Sequence, residues 1–189
     1  MPRRAIGLIV VAILAAAAAA TPIACATASG QDLSSTLRPN AVARLHLDKS
    51  EHRLETFAPD GRSLATFRVA IGVGGLGPKR YEGDNHTPEG RYRIDRRHRS
   101  ADFHRFLHVS YPNREDRTAF ARLVRAGTLP RTATIGGAIG IHGTGPSLAA
   151  VTAHGLGVDW TAGCIAVTND EIDLLYRAVR PNAPLVIVP

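Results

Sequence analysis

Hydrophobic and polar residues alternate at every second position through much of the chain after residue 43, which is the period of a half-buried β-strand. This pattern predicts six strands, at Arg44–Asp48, Arg53–Phe57, Ser63–Ile71, Arg91–Ile94, Phe106–Tyr111 and Pro184–Val188. The first three follow one another closely, and Pro59-Asp60-Gly61 supplies a turn between the second and the third. We therefore expect the chain to begin its folded part as an antiparallel meander.

Two segments have helical spacing instead. In the first, 114–126, apolar residues recur three and four positions apart and Gly127 marks the end, so we expect its apolar stripe to face the core. The second opens at Thr168 with Glu171 three positions later, which is typical of a capping box, and stops before Pro181. The pattern predicts a mainly β domain with two or three short helices.

The first 28 residues differ from the rest of the chain. Arg3 and Arg4 precede an apolar run from Ile6 to Ala20, and small residues follow at 26–28, which is typical of a cleaved signal peptide. A retained membrane anchor and lipidation of Cys25 are the alternatives; the apolar run is short for a membrane span. We assign 1–28 to a signal peptide, 29–42 to a polar linker and 43–189 to one folded domain, with no stable membrane span after cleavage.

Composition agrees with this organisation. The hydrophobic content of 44% suffices for one core, while 18 Gly and 12 Pro disfavour a helical bundle. The net charge of +7 would attract anionic wall polymers, phospholipid surfaces or nucleic acid. Because the leader predicts export, we expect the Arg-rich segment 91–99 to be a solvated face or a contact with wall polymers, and we expect no nucleic-acid partner.

One cysteine and one histidine stand out as candidates for chemistry. Cleavage of the leader removes Cys25 and leaves Cys164 as a lone thiol in an oxidising compartment. His142 ends a short apolar strand beside glycines, and Cys164 follows Gly163 at the head of another strand. An imidazole next to a thiol favours the thiolate, so this pair is the minimum machinery for acyl transfer. Backbone N–H groups of Gly163 and Cys164 are candidate donors to the oxyanion.

Other patterns predict no second site. The glycine-rich run 72–77 lacks the spacing and the Lys-Ser/Thr pair of a phosphate-binding loop, so we interpret it as a flexible hairpin connection. His104 and His108 are four apart on a predicted strand, too far apart to share a metal, and with His98 they match no zinc pattern. We expect no metal and no cofactor.

Three separated motifs resemble the L,D-transpeptidase catalytic domain family of the YkuD type. They are Ile141-His142-Gly143-Thr144, then Thr161-Ala162-Gly163-Cys164-Ile165, and upstream the Thr87-Pro88-Glu89-Gly90 turn. The resemblance extends over about Ala43 to Val188. It implies a β-sandwich or barrel-like domain acting on peptidoglycan stem peptides without metal or cofactor, in the periplasm or cell envelope.

The resemblance also implies roles for individual residues. Cys164 would be the nucleophile and His142 the base, with the Gly143 carbonyl orienting the imidazole. The thioester formed with a stem peptide would pass to an amine, often that of diaminopimelate, in cross-linking or in attachment of a wall-anchored protein. Candidate substrate-binding residues are Thr144, Thr161, Trp160 and Asp159, and Trp160 could equally belong to the core.

Two positions depart from the family pattern. Many members carry His before the Gly-Cys pair and Arg or Asn two residues after the cysteine, where this chain has Ala162 and Ala166. The departures affect recognition of the substrate carboxylate, for which Arg91, Arg93 or Arg105 are possible substitutes. They leave two alternatives open: an L,D-hydrolase or amidase in which water accepts the acyl group, and a non-catalytic module that binds wall peptides.

Overall fold

The computed structural model describes residues 30–189, with side chains from Leu33 onward. The predicted signal peptide, including Cys25, lies outside the described residues. Within the described part of the chain, no helix combines the length and the apolar character needed to cross a membrane.

Eight strands form the body of the molecule: β1 (Arg44–Asp48), β2 (Arg53–Phe57), β3 (Ser63–Arg68), β4 (Gly90–Ser100), β5 (His104–Val109), β6 (Gly140–His142), β7 (Ile165–Ala166) and β8 (Pro184–Val188). Five of the six predicted strands agree with observed strands to within three residues at each end. The sixth, β4, was predicted only as far as Ile94. It continues for six more residues because its charged second half pairs with β5, a tertiary contact that local periodicity does not reveal.

The strands form one curled sheet in the order β3-β2-β1-β8-β4-β5-β6-β7. The predicted antiparallel meander β1–β3 is confirmed, and β8 returns to lie parallel to β1. Beyond β3, Ala70 forms an antiparallel bridge with Ala166 of β7. This bridge links the chain just after β3 to the opposite edge strand, β7, and brings it against the segment that contains Cys164.

Four helices accompany the sheet: α1 (Gly30–Thr36), α2 (Arg114–Arg125), α3 (Leu148–Gly155) and α4 (Asn169–Ala178). The predicted capping box of Thr168 and Glu171 is confirmed at the start of α4. Helix α4 buries Ile172, Leu175 and Ala178 against the alternating apolar face of the strands, so it covers the core.

Three differences from the sequence predictions concern helices. The prediction that α2 faces the core is wrong, because none of its residues is buried; Phe120 and Leu123 instead line an open cavity of about 480 Å³ beside Lys79. Helix α1 lies in the segment predicted as a linker, and the following Leu37 is buried in the core. Helix α3 was not predicted because its residues, mostly small and apolar, show almost no helical periodicity.

Candidate active site

Cys164 occupies a tight turn between a bridge at Thr161 and strand β7. The buried Thr161 hydroxyl donates to the carbonyl oxygen of Cys164 at 2.7 Å and accepts from the N–H of Gly163 at 3.2 Å. Gly163 has φ +124, a conformation that side chains rarely adopt. The turn therefore depends on both its glycine and its threonine.

His142 ends strand β6, and Cys164 directly precedes the neighbouring strand β7. Strands β6 and β7 are parallel, with Ile141 opposite Ile165 and His142 opposite Ala166. The topology thus brings the predicted base to the end of β6 and the predicted nucleophile to the start of the adjacent β7.

The imidazole of His142 is almost fully buried and held in one orientation. Its Nδ1 donates to the Gly143 carbonyl oxygen at 2.7 Å, which leaves Nε2 as the proton acceptor. The rings of Phe103 and Trp160 lie 4.3 and 5.7 Å from it, measured between ring centroids. Burial lowers the pKa of His142, with the Gly143 bond opposing that shift, so the ring is neutral at neutral pH.

The thiol of Cys164 is half-buried and also neutral in this state. Its Sγ donates a weak hydrogen bond to the Ala138 carbonyl at 3.6 Å. Burial raises the pKa of the Cys164 thiol, while the Gly140 backbone N–H and the charge of Lys79 oppose that effect. The directions of the two pKa shifts favour a thiol and a neutral imidazole, and no hydrogen bond joins Cys164 to His142 among the described residues.

The two backbone donors predicted for the oxyanion differ in availability. The N–H of Gly163 already donates to Thr161, whereas the N–H of Cys164 has no acceptor within residues 30–189. An oxyanion near Sγ could therefore accept from Cys164 without cost, while a bond from Gly163 would require the Thr161 contact to be shared.

The glycine-rich run 72–77 and the Thr-Pro-Glu-Gly turn pack directly against the cysteine turn. Gly72 donates to the Thr87 hydroxyl at 2.9 Å, and Val73 donates to the Thr161 carbonyl at 3.0 Å. A Cβ on Gly72 would lie 2.9 Å from the Cα of Gly163. The sequence suggested a flexible connection here. The structure instead shows a loop that is held by hydrogen bonds to its neighbours. The resemblance of Thr87-Pro88-Glu89-Gly90 to the family's Thr-Pro-x-Gly turn was the signal that could have indicated this packing.

An open cleft of about 610 Å³ is bordered by Phe103 and Trp160, whose rings contact His142, although neither His142 nor Cys164 lines it. Its lining is mostly small and apolar and includes one charged residue, Asp102. The lining residues are Asp102, Phe103, Thr144, Pro146, Ser147, Ala149, Ala150, Ala153 and Trp160. Two of the candidate substrate-binding residues, Thr144 and Trp160, therefore border the space next to the base.

The other two candidates make internal contacts. Thr161 uses its hydroxyl within the cysteine turn, as described above. Asp159 accepts from the Ile71 backbone N–H at 2.8 Å and from Nε2 of His52 at 3.1 Å. These bonds attach the segment before the cysteine to the chain that follows β3. The side chains of Thr161 and Asp159 therefore support the structure of the site and do not line the cleft.

The arginines considered for carboxylate recognition lie away from the cleft. Arg91 and Arg93 are on the part of β4 that pairs with β8, and Arg105 forms an ion pair with Asp173. Across residues 30–189, no group of three or more His, Cys, Asp or Glu side chains is arranged to hold a metal ion.

Comparisons with known proteins agree with this geometry. The family model of the L,D-transpeptidase catalytic domain, YkuD, matches residues 43–187. A protein of Escherichia coli (strain K12) named "Putative L,D-transpeptidase YafK" is 25% identical over 157 residues, which is 77% of this chain and 53% of that protein. The chain therefore spans about half the length of this relative.

Solved structures show a similar fold. The helical cell shape determining protein Pgp2 from Campylobacter jejuni superposes with a TM-score of 0.57 at 22% identity, covering 83% of this chain and 54% of Pgp2. Bd1075 from Bdellovibrio bacteriovorus gives 0.52 at 20% identity, covering 79% and 52%. An L,D-transpeptidase from Mycobacterium smegmatis gives 0.50 at 14% identity, covering 79% and 59%. The predicted fold class, a mainly β domain of the L,D-transpeptidase type, is confirmed, with four short helices.

Proposed function

The chain belongs to the YkuD family of L,D-transpeptidase catalytic domains, and on that premise we propose that it is a cysteine acyltransferase acting on peptidoglycan stem peptides. Cys164 forms a thioester with the stem peptide and passes the acyl group to an amine, either of another stem peptide or of a wall-anchored protein. The leader predicts that this happens outside the cytoplasm, in the periplasm or cell envelope.

The observation that carries the proposal is that Cys164 directly precedes β7, which pairs in parallel with β6, the strand that ends at His142. A base on a rigid strand, fixed by the Gly143 carbonyl, needs no acidic third residue to hold its orientation. The neutral state of both groups also suits the task, because a neutral imidazole can take a proton and a neutral thiol can give one.

The chemistry follows in two half-reactions. Nε2 of His142 takes the thiol proton as Sγ attacks the substrate carbonyl carbon, and the Cys164 N–H stabilises the oxyanion. The intermediate collapses with transfer of the proton from His142 to the departing amine, which leaves a thioester. An incoming amine then attacks the thioester and loses a proton to His142, which returns it to the thiolate as the product leaves.

The cleft next to His142 is the proposed route for one of the two substrates. Thr144 and Trp160 border it, and the ring of Trp160 contacts that of His142. Most ligand sites combine an apolar lining with a few polar groups, and this lining follows that pattern.

The first test is intact-mass spectrometry of the mature protein incubated with a carbapenem, a β-lactam that acylates reactive cysteines in this family. We expect one adduct per chain that disappears in Cys164→Ala. Stem tetrapeptides should give a thioester in the wild type only. No adduct with a reduced, accessible Cys164 would contradict catalysis and favour a module that binds wall peptides.

Hydrolysis is the second candidate, and a specific observation favours it. Ala162 and Ala166 replace polar side chains that many members carry, and no Lys or Arg lines the cleft. An acceptor bearing a carboxylate thus finds no cation there, whereas water needs none. Incubating the enzyme with tetrapeptide and a large excess of diaminopimelate separates the two: a cross-linked product indicates transfer, and tripeptide alone indicates hydrolysis.

A further inference from the structure

Lysine is almost absent from this basic chain. Of 23 basic residues, two are lysines, Lys49 and Lys79, and the other 21 are arginines. Both lysine side chains are buried, at 0% and 3% exposed, and both are ion-paired. A lysine carries its charge as a compact point, while arginine spreads it over a plane. The chain therefore uses its two compact cations in the interior only.

Lys79 belongs to a loop that reaches the cysteine turn. Its Nζ lies 2.7 Å from Oδ1 of Asp84, whose side chain is 5% exposed. The Asp84 carboxylate also accepts from the backbone N–H groups of Arg80, Tyr81 and His86, at 2.5, 3.1 and 3.1 Å. The ion pair is thus the centre around which residues 79–86 fold.

The far end of this loop touches the residue next to the nucleophile. A Cβ built on Gly163 would lie 2.7 Å from the carbonyl oxygen of His86, and one on Gly72 would lie 2.0 Å from that of Asn85. The loop is therefore packed so closely against the cysteine turn that a side chain at either glycine would clash with it. The buried Lys79–Asp84 pair belongs to this same loop.

We propose that this ion pair sets the reactivity of Cys164, with Lys79 as the cation that stabilises the thiolate and Asp84 as the anion that holds Lys79 and partly offsets its charge. Lys79 is a positioning and electrostatic residue: its Nζ pairs with Asp84, and no hydrogen bond joins it to Cys164 Sγ within residues 30–189. The positive charge of Lys79 supplies part of the thiolate stabilisation that a cationic side chain beside the cysteine would supply. The inference rests on the proposed function only in taking Cys164 as the nucleophile.

Electrostatics near a buried thiol supports the direction of this effect. Burial raises the pKa of Cys164, and the charge of Lys79 is one of two influences that lower it again. The other charged or titratable groups around the turn are His142 on β6, His86 in the same loop and Asp159 before the turn. His142 is neutral, and Asp159 is engaged with His52 and Ile71.

The test measures the rate at which iodoacetamide alkylates Cys164 in the full chain as a function of pH, read from the mass of the peptide that contains Cys164. Lys79→Met should shift the profile to higher pH and slow alkylation at neutral pH about three- to tenfold. Asp84→Asn should shift it to lower pH and accelerate alkylation, because it removes the offsetting anion.

The decisive result is that the alkylation profiles of Lys79→Met and Asp84→Asn shift in opposite directions along the pH axis. If the ion pair had only a structural role, loss of either partner would destabilise the same loop and both profiles would shift the same way. Lys79→Arg keeps the charge and should retain the wild-type profile, and it serves if the Asp84 variant does not fold. Shifts of one sign, no shift, or an Arg variant that behaves like Met would overturn the proposal. The readout uses no stem peptide, so it stands whether or not transpeptidation is observed.

Discussion

The hydroxyl of Thr161 donates to the carbonyl oxygen of Cys164 at 2.7 Å while it accepts from the N–H of Gly163 at 3.2 Å. One buried side chain thus satisfies two backbone groups of the turn that presents the nucleophile. The Thr161 backbone is fixed as well, because its N–H donates to Ile71 at 3.2 Å and its carbonyl accepts from Val73. The backbone of the turn that carries Sγ is therefore held by the hydroxyl and the backbone of Thr161.

Thr161→Val should separate the contribution of the side-chain volume of Thr161 from that of its hydrogen bonds. Valine fills the same space but leaves two buried backbone groups unpaired, so we expect a loss of about 1–3 kcal/mol in the free energy of unfolding. Acylation of Cys164 should slow because the turn is no longer held. Thr161→Ser keeps the hydroxyl and should stay close to wild type in urea unfolding and in acylation rate; equal losses in the two variants would contradict this explanation.

The protonation states of His142 and Cys164 give a pH prediction. Burial lowers the pKa of His142 and raises that of Cys164, so both are neutral at neutral pH. The thiolate accumulates only as pH rises through the raised thiol pKa. Alkylation of wild-type Cys164 should therefore increase steadily into the alkaline range. A flat rate between about pH 5 and 8 would instead indicate a resting thiolate–imidazolium pair.

Substitution of the base distinguishes resting reactivity from catalysis. His142→Ala removes the proton acceptor, so acylation by a stem peptide should fall by a factor of about 100 or more. The variant should still alkylate at high pH, where the thiolate forms unaided. Acylation by the stem peptide at the wild-type rate would exclude His142 as the base.

The sequence carried enough information to predict that Cys164 and His142 lie at neighbouring strand ends, because each is beside glycines and a short apolar run. Cys164 and His142 are 22 positions apart, yet the motif order and two short apolar runs were enough to expect them on neighbouring strands. The alternation of β1, β2 and β8 was readable for the same reason: one buried face imposes a period of two.

The buried ion pairs that support the site could not be predicted from the sequence pattern. Lys49 and Lys79 look like ordinary surface residues in the sequence, since lysine is seldom buried unless paired. Their partners, Glu89 and Asp84, lie in irregular loops whose paths depend on packing against the cysteine turn. No local period records such contacts. The same holds for α2, whose apolar stripe predicts a core-facing helix but borders an open cavity.

Gly163→Ala tests how closely the loops pack on the nucleophile. Alanine would have to adopt φ +124, and its Cβ would meet the His86 carbonyl oxygen at 2.7 Å. We expect destabilisation beyond the strain of about 1–3 kcal/mol expected for such a backbone conformation alone, together with loss of acylation.

Gly61→Ala is the matched control for this substitution. Gly61 also has positive φ, at +85, but a Cβ there has nothing within 4 Å. The control should show backbone strain without a clash and keep full acylation. Similar stability losses for the two variants in urea unfolding would show that the contact with His86 adds nothing.

Lys49 should be among the most costly side chains to remove. It is fully buried, and its Nζ donates to the Gly77 and Thr87 carbonyls and to Glu89 at 2.6, 3.0 and 2.8 Å. Lys49→Met leaves these acceptors and the Glu89 carboxylate without their cation, so we expect a loss of about 3–5 kcal/mol in the free energy of unfolding. Arg62→Met is the control, because it breaks an ion pair with Asp60 in which both side chains are about two-thirds exposed. It should lower the free energy of unfolding by at most about 1 kcal/mol.

A double-mutant cycle then isolates the Lys49–Glu89 interaction. Glu89→Gln retains an oxygen that can accept from Gly77, so it should cost less than Lys49→Met. Because the two side chains contact each other, the double variant should lose less stability than the two single losses combined. Additive losses in urea unfolding would show that Lys49 acts through the backbone carbonyls of the loop and not through its charge on Glu89.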